Sequence, residues 1–403
     1  MTDPLILVRA LHFAATLLAG GTVVFLALAA KPLPDLEQRL VRLTWWALGG
    51  AVLSGAAWLV LLAADIIGTS VADTVLSGGV WSVLTGTRFG QVASARLALA
   101  ILLAALLARP RMRVLQMLVV LPFAALPAWT GHAGAGLGAA GFATVAADAL
   151  HLVAAASWLG ALPALAIFLG VERRPPQIAT VAARFSRLGI AAVAALVATG
   201  LANAWSLVGS LENLVATDYG RLLLLKVGLF LAMLALAAVN HFHLTPRLAV
   251  PGALRNLLRI TVVESALGIG LLLLVGALGT LPPAAHRAVS ASGTSAEASY
   301  LHLHSTEAMA DLMIEPGRET ESRATIRLTR EDGSEFPAQA VQLELDPRAG
   351  GAPIAREAVR GPDGTWDVPE LDRPAPGTWT VKILIRRETG GELLLDGPLA
   401  IAR

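Results

Sequence analysis

The sequence predicts an all-α polytopic membrane bundle of about eight transmembrane helices, followed by a small all-β immunoglobulin-like sandwich. Of its 403 residues, 55% are hydrophobic and only 15% are charged, whereas soluble domains carry roughly 25% charged residues. The charges are also unevenly divided. Residues 1–285 hold 18 Lys+Arg and 10 Asp+Glu, and residues 286–403 hold 13 Lys+Arg and 19 Asp+Glu. The first part has too few charges to cover a water-facing surface, so we expect it to lie in a membrane.

The membrane part contains eight segments that reach the length of a spanning helix, which is about 20 mostly apolar residues. They lie at about 5–30, 43–65, 89–108, 112–130, 143–170, 185–208, 219–241 and 257–281. The stretch 66–88 is too polar to span, and its apolar residues predict a short helix in the outer interface.

The orientation follows from basic residues in the short loops. Alternate loops, at 31–42, 109–113, 171–187 and 244–259, carry 13 Lys and Arg, whereas the other loops carry two, Arg88 and Arg221. We therefore expect a multi-pass membrane protein with both termini and the C-terminal domain on the non-cytoplasmic side.

The C-terminal part has the pattern of a β domain. A Pro/Ser/Ala/Gly stretch at 282–299 reads as a flexible linker. Apolar and polar residues then alternate at 324–328, 341–345 and 379–385, with turn residues between them. Six or seven strands at this spacing are typical of a small sandwich. The predicted organisation is a membrane domain at 1–281, a linker at 282–299 and a β domain at 300–403.

Composition excludes several kinds of chemistry. Cysteine is absent, so the chain has no disulfide, thiolate metal site, iron–sulfur cluster or cysteine nucleophile. There is no basic patch of the kind that nucleic acid requires. Phosphate loops, nucleophile elbows and His-Glu-x-x-His zinc motifs are also missing from the sequence, and we do not expect an enzyme.

Three histidines fall at or just below the predicted outer face. His12 lies in the first helix, His132 follows the fourth and His151 lies in the fifth. An ionisable residue inside a span is costly and suggests a function, and imidazole is a ligand for copper, zinc, iron or haem. Asp148 shares a helix face with His151 and would fix its tautomer. If the three converge they form a metal site; otherwise each one bonds between helices.

The β domain offers a second set of metal ligands. His302 and His304 lie two residues apart and therefore on one face of a strand, and Met309 and Met313 follow nearby. Imidazole together with thioether suits copper better than hard cations. The alternative is a solvent-facing strand with core methionines.

At the opposite ends of the spans, His241 and His243 read as interfacial anchors. Glu264, in the last helix, needs a partner there, and the neighbouring basic loop or His241 would supply one.

Two runs resemble a known family. The residues from Asp218 to Lys226, continuing through 237–246, and the upstream run from His151 to Gly160 resemble the signature of the CopD copper-resistance family. The resemblance covers all eight helices and is strongest at 143–281. The C-terminal part has a His-Leu-His run near its start and a Gly-Thr-Trp-Thr-Val run near its end, and it looks like a FixH/YtkA-type domain.

The resemblance implies an inner-membrane protein of copper homeostasis and resistance that transports or delivers copper from the periplasmic side. Its expected partners are copper ions, as the candidate metal, the lipid bilayer and a periplasmic copper chaperone, with no nucleic acid. The metal-ligand candidates are His12, His132, His151, His302, His304 and Met309. Two other functions remain open: a haem-binding electron-transfer protein, and a non-transporting assembly factor for a metal-containing membrane oxidase.

Overall fold

The fold comes from a computed structural model. It describes residues 4–29, 34–130, 138–248, 250–281, 284, 299–304, 308–316, 321–330, 334–347, 352–362, 364–375, 377–388 and 390–401. The chain divides into two compact units, Met1–Ala285 and His286–Arg403. Most of the predicted linker at 282–299 lies outside the described residues.

The first unit is helical throughout its described part. Its α-helices are α1 (Pro4–Val24), α2 (Pro34–Ile67), α3 (Val71–Leu76), α4 (Gly79–Gly86), α5 (Arg88–Leu107), α6 (Arg113–Ala125), α7 (Gly138–Trp158), α8 (Leu162–Val171), α9 (Pro175–Val208), α10 (Leu211–Ala216), α11 (Asp218–Val239) and α12 (Ala253–Leu278). A π-helical turn extends α1 at Phe25–Ala29, and another extends α11 at Asn240–Leu244. Short 3₁₀ turns lie at Pro110–Met112, Leu126–Thr130 and Thr245–Arg247.

Eight helical stretches in the described residues are long and apolar enough to cross a membrane, which confirms the predicted number. They are Pro4–Leu28, Pro34–Ile67, Arg88–Leu107, Pro110–Thr130, Phe142–Val171, Pro175–Trp205, Asp218–Arg247 and Ala253–Leu278. The polar stretch between the second and third spans forms the two short helices α3 and α4. Val71 and Trp81 are exposed there, whereas Val83 packs into a small apolar cluster with Leu59 and Ala63.

Local signals in the sequence set where several spans begin. Proline stands in the first turn of α2 and α9, where its missing N–H costs no hydrogen bond. Threonine caps α5 and α11: the hydroxyl of Thr87 accepts from the backbone N–H of Gly90 at 3.1 Å, and that of Thr217 from Gly220 at 2.9 Å. Such caps satisfy backbone donors that the first turn leaves unpaired.

A very close backbone approach between spans lies where α1 meets the break between α7 and α8. A Cβ added to Gly21 would lie 2.1 Å from the carbonyl carbon of Gly160, and one added to Gly160 would lie 1.9 Å from the carbonyl oxygen of Leu17. Only glycine fits at either position, and small residues allow helices in a membrane to pack this closely. The contact holds the C-terminal part of α1 against the end of α7.

The second unit is an eight-stranded antiparallel sheet. Its strands are β1 (Ser299–His304), β2 (Met309–Pro316), β3 (Glu321–Thr329), β4 (Ala338–Pro347), β5 (Ile354–Arg360), β6 (Trp366–Asp372), β7 (Gly377–Arg387) and β8 (Glu392–Ile401), in the order β1-β2-β3-β6-β5-β4-β7-β8. In β3, Ala324, Ile326 and Leu328 are buried while Arg323 and Arg327 are exposed. The buried residues belong to one core that all eight strands share.

The all-β character is confirmed, but the shape differs from the predicted immunoglobulin-like sandwich. The strands form one continuous sheet, because β5 pairs with β6 through Val359 opposite Asp367 and Arg360 opposite Trp366. Its two ends also lie together, since Leu303 of β1 packs beside Gly397 of β8. The result is a nearly closed barrel that leaves few exposed strand edges.

The glycine contact gives a direct test of the helical packing. We expect Gly160→Ala to destabilise the protein by about 1–3 kcal/mol or more, because the new methyl group overlaps a backbone oxygen that cannot rotate away. The measurement is the apparent Tm of the purified protein in detergent. Gly170→Ala, in α8, is the matched control because a Cβ there meets nothing within 4 Å. Equal Tm values for the two variants would contradict the packing.

Candidate metal centre

His12 lies in α1 with 5% of its surface exposed and contacts two other helices. Its Nδ1 lies 3.2 Å from the hydroxyl of Ser54 in α2. Its Nε2 is hydrogen-bonded to the guanidinium of Arg96 in α5, which also donates to Thr16 at 2.7 Å and lies over the ring of Phe123 at 4.6 Å. The histidine therefore joins the first three spans.

The partners of His12 define its tautomer. Arginine only donates, so Nε2 accepts from Arg96. The hydroxyl of Ser54 donates to the carbonyl of Gly50 at 2.6 Å, so its oxygen accepts from Nδ1–H. The imidazole is thus neutral, and both nitrogens are engaged. A metal ion reaches Nε2 only if Arg96 moves away.

A cavity of about 220 Å³ lies beside His12. Its walls are mainly apolar and aromatic, with Trp58, Phe89 and Phe123 among them. The rings of His12 and Trp58 pack edge to face with centroids 5.5 Å apart. The His12 ring therefore forms part of the cavity wall.

His151 lies in α7 and bonds to α9. Its Nδ1 is 2.8 Å from the hydroxyl of Thr199. That hydroxyl donates to the carbonyl of Ala195 at 2.7 Å, so Nδ1 carries the proton and Nε2 holds the lone pair. No hydrogen bond to Nε2 exists among the described residues. This nitrogen is the one that a metal would use.

Asp148 does not orient His151, contrary to the expectation from their shared helix face. Its carboxylate accepts from the amide of Asn203 in α9 and interacts electrostatically with Lys226 in α11. Lys226 also interacts with His151. The second histidine thus lies near one carboxylate and one ammonium group.

In the described part of the helical unit, His12 and His151 lie in different helices and have different partners. Within the described ranges no group of three or more His, Asp or Glu is arranged to hold a metal ion. His132 lies outside the described residues. No contact joins His12 to His151 among the described side chains, so the convergence of the three histidines stays a prediction.

In the β unit, His302 and His304 are both in β1, and their ring positions lie outside the described residues. The register places His302 opposite Asp311 and His304 opposite Met309 on β2. Directly opposed residues have Cβ atoms about 4.5–5.5 Å apart, so Asp311 joins the candidate ligand set as a residue that sequence reasoning missed. The Tyr300 hydroxyl donates a hydrogen bond to the Asp311 carboxylate. Burial of the Tyr300 phenol is the larger cause, and this bond the smaller one, of a pKa above the ordinary value.

A second cavity, of about 390 Å³, lies near the 244–259 loop and is lined by Glu264, Asn240, His241 and Ser186. The sequence led us to expect the basic loop or His241 as the partner of Glu264. The structure shows a different partner: the side-chain amide of Asn240 donates to the Glu264 carboxylate at 2.9 Å. His241 bonds instead to the hydroxyl of Ser186 at 2.5 Å.

Eight spans with histidines held between them define a polytopic membrane protein with imidazole centres inside its bundle. Residues 1–142 match the family described as copper resistance protein D-like, N-terminal domain, and residues 179–278 match copper resistance protein D. "Inner membrane protein YebZ" of Escherichia coli (strain K12) is 32% identical over 288 residues, which are 69% of this chain and 98% of that protein. The chain belongs to the copper resistance protein D family.

Two further relatives match shorter regions. "Copper resistance protein D" of Pseudomonas syringae pv. tomato is 34% identical over 173 residues, 39% of this chain and 54% of that protein. "Copper transport protein CutJ" of Bacillus subtilis (strain 168) is 37% identical over 139 residues, 34% of this chain and 25% of that protein. The CopD resemblance is confirmed, and this is a multi-pass inner-membrane protein of a copper resistance and copper transport family.

The different surroundings of Nε2 in His12 and His151 predict that the two rings differ in chemical reactivity. In the wild type we expect diethylpyrocarbonate to modify His151 faster than His12, because Arg96 occupies Nε2 of His12. Arg96→Met removes that donor, and His12 then becomes reactive through the adjoining cavity. Mass spectrometry of the two histidine peptides measures both rates. Arg88→Met, an exposed arginine at the start of the same helix, is the control. Unchanged His12 labelling in Arg96→Met would contradict the described network.

Proposed function

We propose that this protein binds copper ions within its helical unit and carries them across the inner membrane from the periplasmic side towards the cytoplasm. The observation that carries the proposal is that imidazoles lie inside the membrane spans, at His12 and His151, and that Nε2 of His151 has no hydrogen bond among the described residues. Each ring donates a hydrogen bond from Nδ1–H to a hydroxyl oxygen on a neighbouring helix. The fixed Nδ1 bond leaves Nε2 of His151 for a metal, whereas Nε2 of His12 accepts from Arg96. Imidazole is a good ligand for copper.

The proposed direction of copper transport rests on how basic residues are distributed among the loops. The basic residues concentrate in the 31–42, 109–113, 171–187 and 244–259 loops, which supports placing those loops in the cytoplasm. Both termini and the β unit are then periplasmic, and copper enters from the side where that unit lies.

For the β unit we propose a FixH/YtkA-like domain that takes up copper, with a periplasmic copper chaperone as its partner. Support comes from the β1–β2 register, which places His302 and His304 opposite Asp311 and Met309. Two imidazoles and a thioether suit copper. The role proposed for the whole chain is binding and transport rather than catalysis.

Copper retention tests this function. The full-length protein is loaded with copper, separated from free metal and measured for copper per chain. We expect His12→Ala/His151→Ala to lose the copper held by the bundle, and His302→Ala/His304→Ala to lose the copper held by the β unit. His241→Ala/His243→Ala, two histidines near the 244–259 loop, is the matched control and keeps the wild-type content.

Three outcomes would contradict the proposal. A wild-type protein that retains no copper would end it. A Soret band in the purified protein would favour the haem-binding alternative. Full copper retention in both histidine double variants would show that the copper lies elsewhere.

A further inference from the structure

The helical unit consists of two similar halves with four spans each, α1 to α6 and α7 to α12. Because four is an even number, both halves begin on the same side of the membrane. Such parallel copies are related by an axis along the membrane normal, as in other transporters built from repeats. Three pairs of helices repeat the same residue types and the same contacts.

The first pair is α1 and α7. The run Ala-Leu-His occurs in both, ending at His12 and at His151. A glycine follows each histidine by nine residues: Gly21 in α1 and Gly160 after α7. Nine helical residues span about 13.5 Å.

These equivalent glycines touch each other, and the contact is reciprocal. A Cβ on Gly160 would lie 1.9 Å from the carbonyl oxygen of Leu17, and a Cβ on Gly21 would lie 2.5 Å from that of Ala156. Leu17 and Ala156 are themselves equivalent, since each follows its histidine by five residues. Contacts that exchange in this way are the mark of a two-fold axis, so the two histidines lie at the same level on opposite sides of it.

The second pair, α2 and α9, repeats a hydroxyl residue followed by glycine: Ser54-Gly55 and Thr199-Gly200. Each hydroxyl accepts from the histidine of its own half and donates to the carbonyl four residues earlier. Each glycine faces the same ring, because a Cβ on Gly55 would lie 3.0 Å from its histidine and one on Gly200 would lie 3.7 Å from its own.

The third pair, α5 and α11, repeats a threonine cap, an aromatic residue, a glycine and a basic residue. The cap is three residues before the glycine, and the basic residue is six after it. A Cβ on the two glycines would lie 2.1 and 2.4 Å from a carbonyl oxygen of the preceding short helix. The residues are Thr87, Phe89, Gly90 and Arg96 in the first half, and Thr217, Tyr219, Gly220 and Lys226 in the second.

One difference between the halves lies at a pair of contacting positions near the histidines. Three residues before each histidine stands Arg9 in the first half and Asp148 in the second. Four residues after each hydroxyl stands Trp58 in the first half and Asn203 in the second. These positions meet in both halves: the guanidinium of Arg9 lies 4.9 Å from the Trp58 ring centre, and Asn203 donates to Asp148.

The exchange lowers the net charge of the side chains around the histidine from two positive charges in the first half to none in the second. The first half holds two cations near His12, Arg9 and Arg96, and Arg96 occupies the lone pair of Nε2. The second half places a carboxylate beside its one ammonium group, and Nε2 of its histidine carries no hydrogen bond among the described residues. A metal cation is therefore repelled less at the second position than at the first, and only at the second is the histidine nitrogen not already bonded to a cationic side chain.

We propose that the bundle holds two copies of one ancestral site and that only the second copy, at His151 and Asp148, binds the metal cation. In the first copy the guanidinium of Arg96 takes the place of the ion at the histidine nitrogen. This assignment rests on the proposed copper function and narrows it to one half of the molecule.

Variants at equivalent positions test the assignment in the full-length protein, with copper as the probe. We expect His151→Ala to weaken copper retention by at least about tenfold, as loss of metal-site residues does, and His12→Ala to leave it near the wild-type level. Asp148→Asn and Arg9→Gln form a second pair of variants that keeps both rings. Of these, only Asp148→Asn weakens binding. The rise in Tm on copper addition gives an independent readout for each folded variant.

The outcomes separate this inference from the proposed function. A wild type without bound copper overturns both. A wild type that binds copper but loses it equally on His12→Ala and His151→Ala overturns the inference alone. A loss of copper retention confined to His151→Ala and Asp148→Asn, with wild-type retention in His12→Ala and Arg9→Gln, supports it.

Discussion

The helical unit depends on polar side chains that pair across apolar helices, because an unpaired hydrogen-bonding group in hydrocarbon costs several kcal/mol. His12 with Ser54 joins α1 to α2, and His151 with Thr199 joins α7 to α9. The contact between Gly21 and Gly160 then joins the two pairs. The same bonds that hold the bundle also fix the tautomer of each imidazole, so structure and metal chemistry share one set of interactions.

Much of the fold could be predicted from sequence. The spans follow from length and hydropathy, and α5 and α11 begin where Thr87 and Thr217 cap them. The shape of the β unit could not be predicted, because alternation identifies strands without showing which strands pair. The short ladder at Val359 and Arg360 joins what would otherwise be two sheets.

The candidate site was less accessible to sequence reasoning. Asp148 and His151 share a helix face, but their partners, Asn203 and Thr199, come from α9. One helix shows which residues lie together on it, not which helix packs beside it. A usable signal was present in the recurrence of a histidine, a hydroxyl–glycine pair and a basic residue in both halves, which marks equivalent contacts.

The central claim is that the protein carries copper across the membrane by way of His151, and a measurement of copper flux tests it most directly. The full-length protein is reconstituted into vesicles that contain a copper-sensitive dye, and copper is added outside. The account predicts that vesicles with wild-type protein fill faster than protein-free vesicles and that His151→Ala removes this difference. Wild-type vesicles that fill no faster than protein-free ones, with the protein folded and inserted, would contradict it.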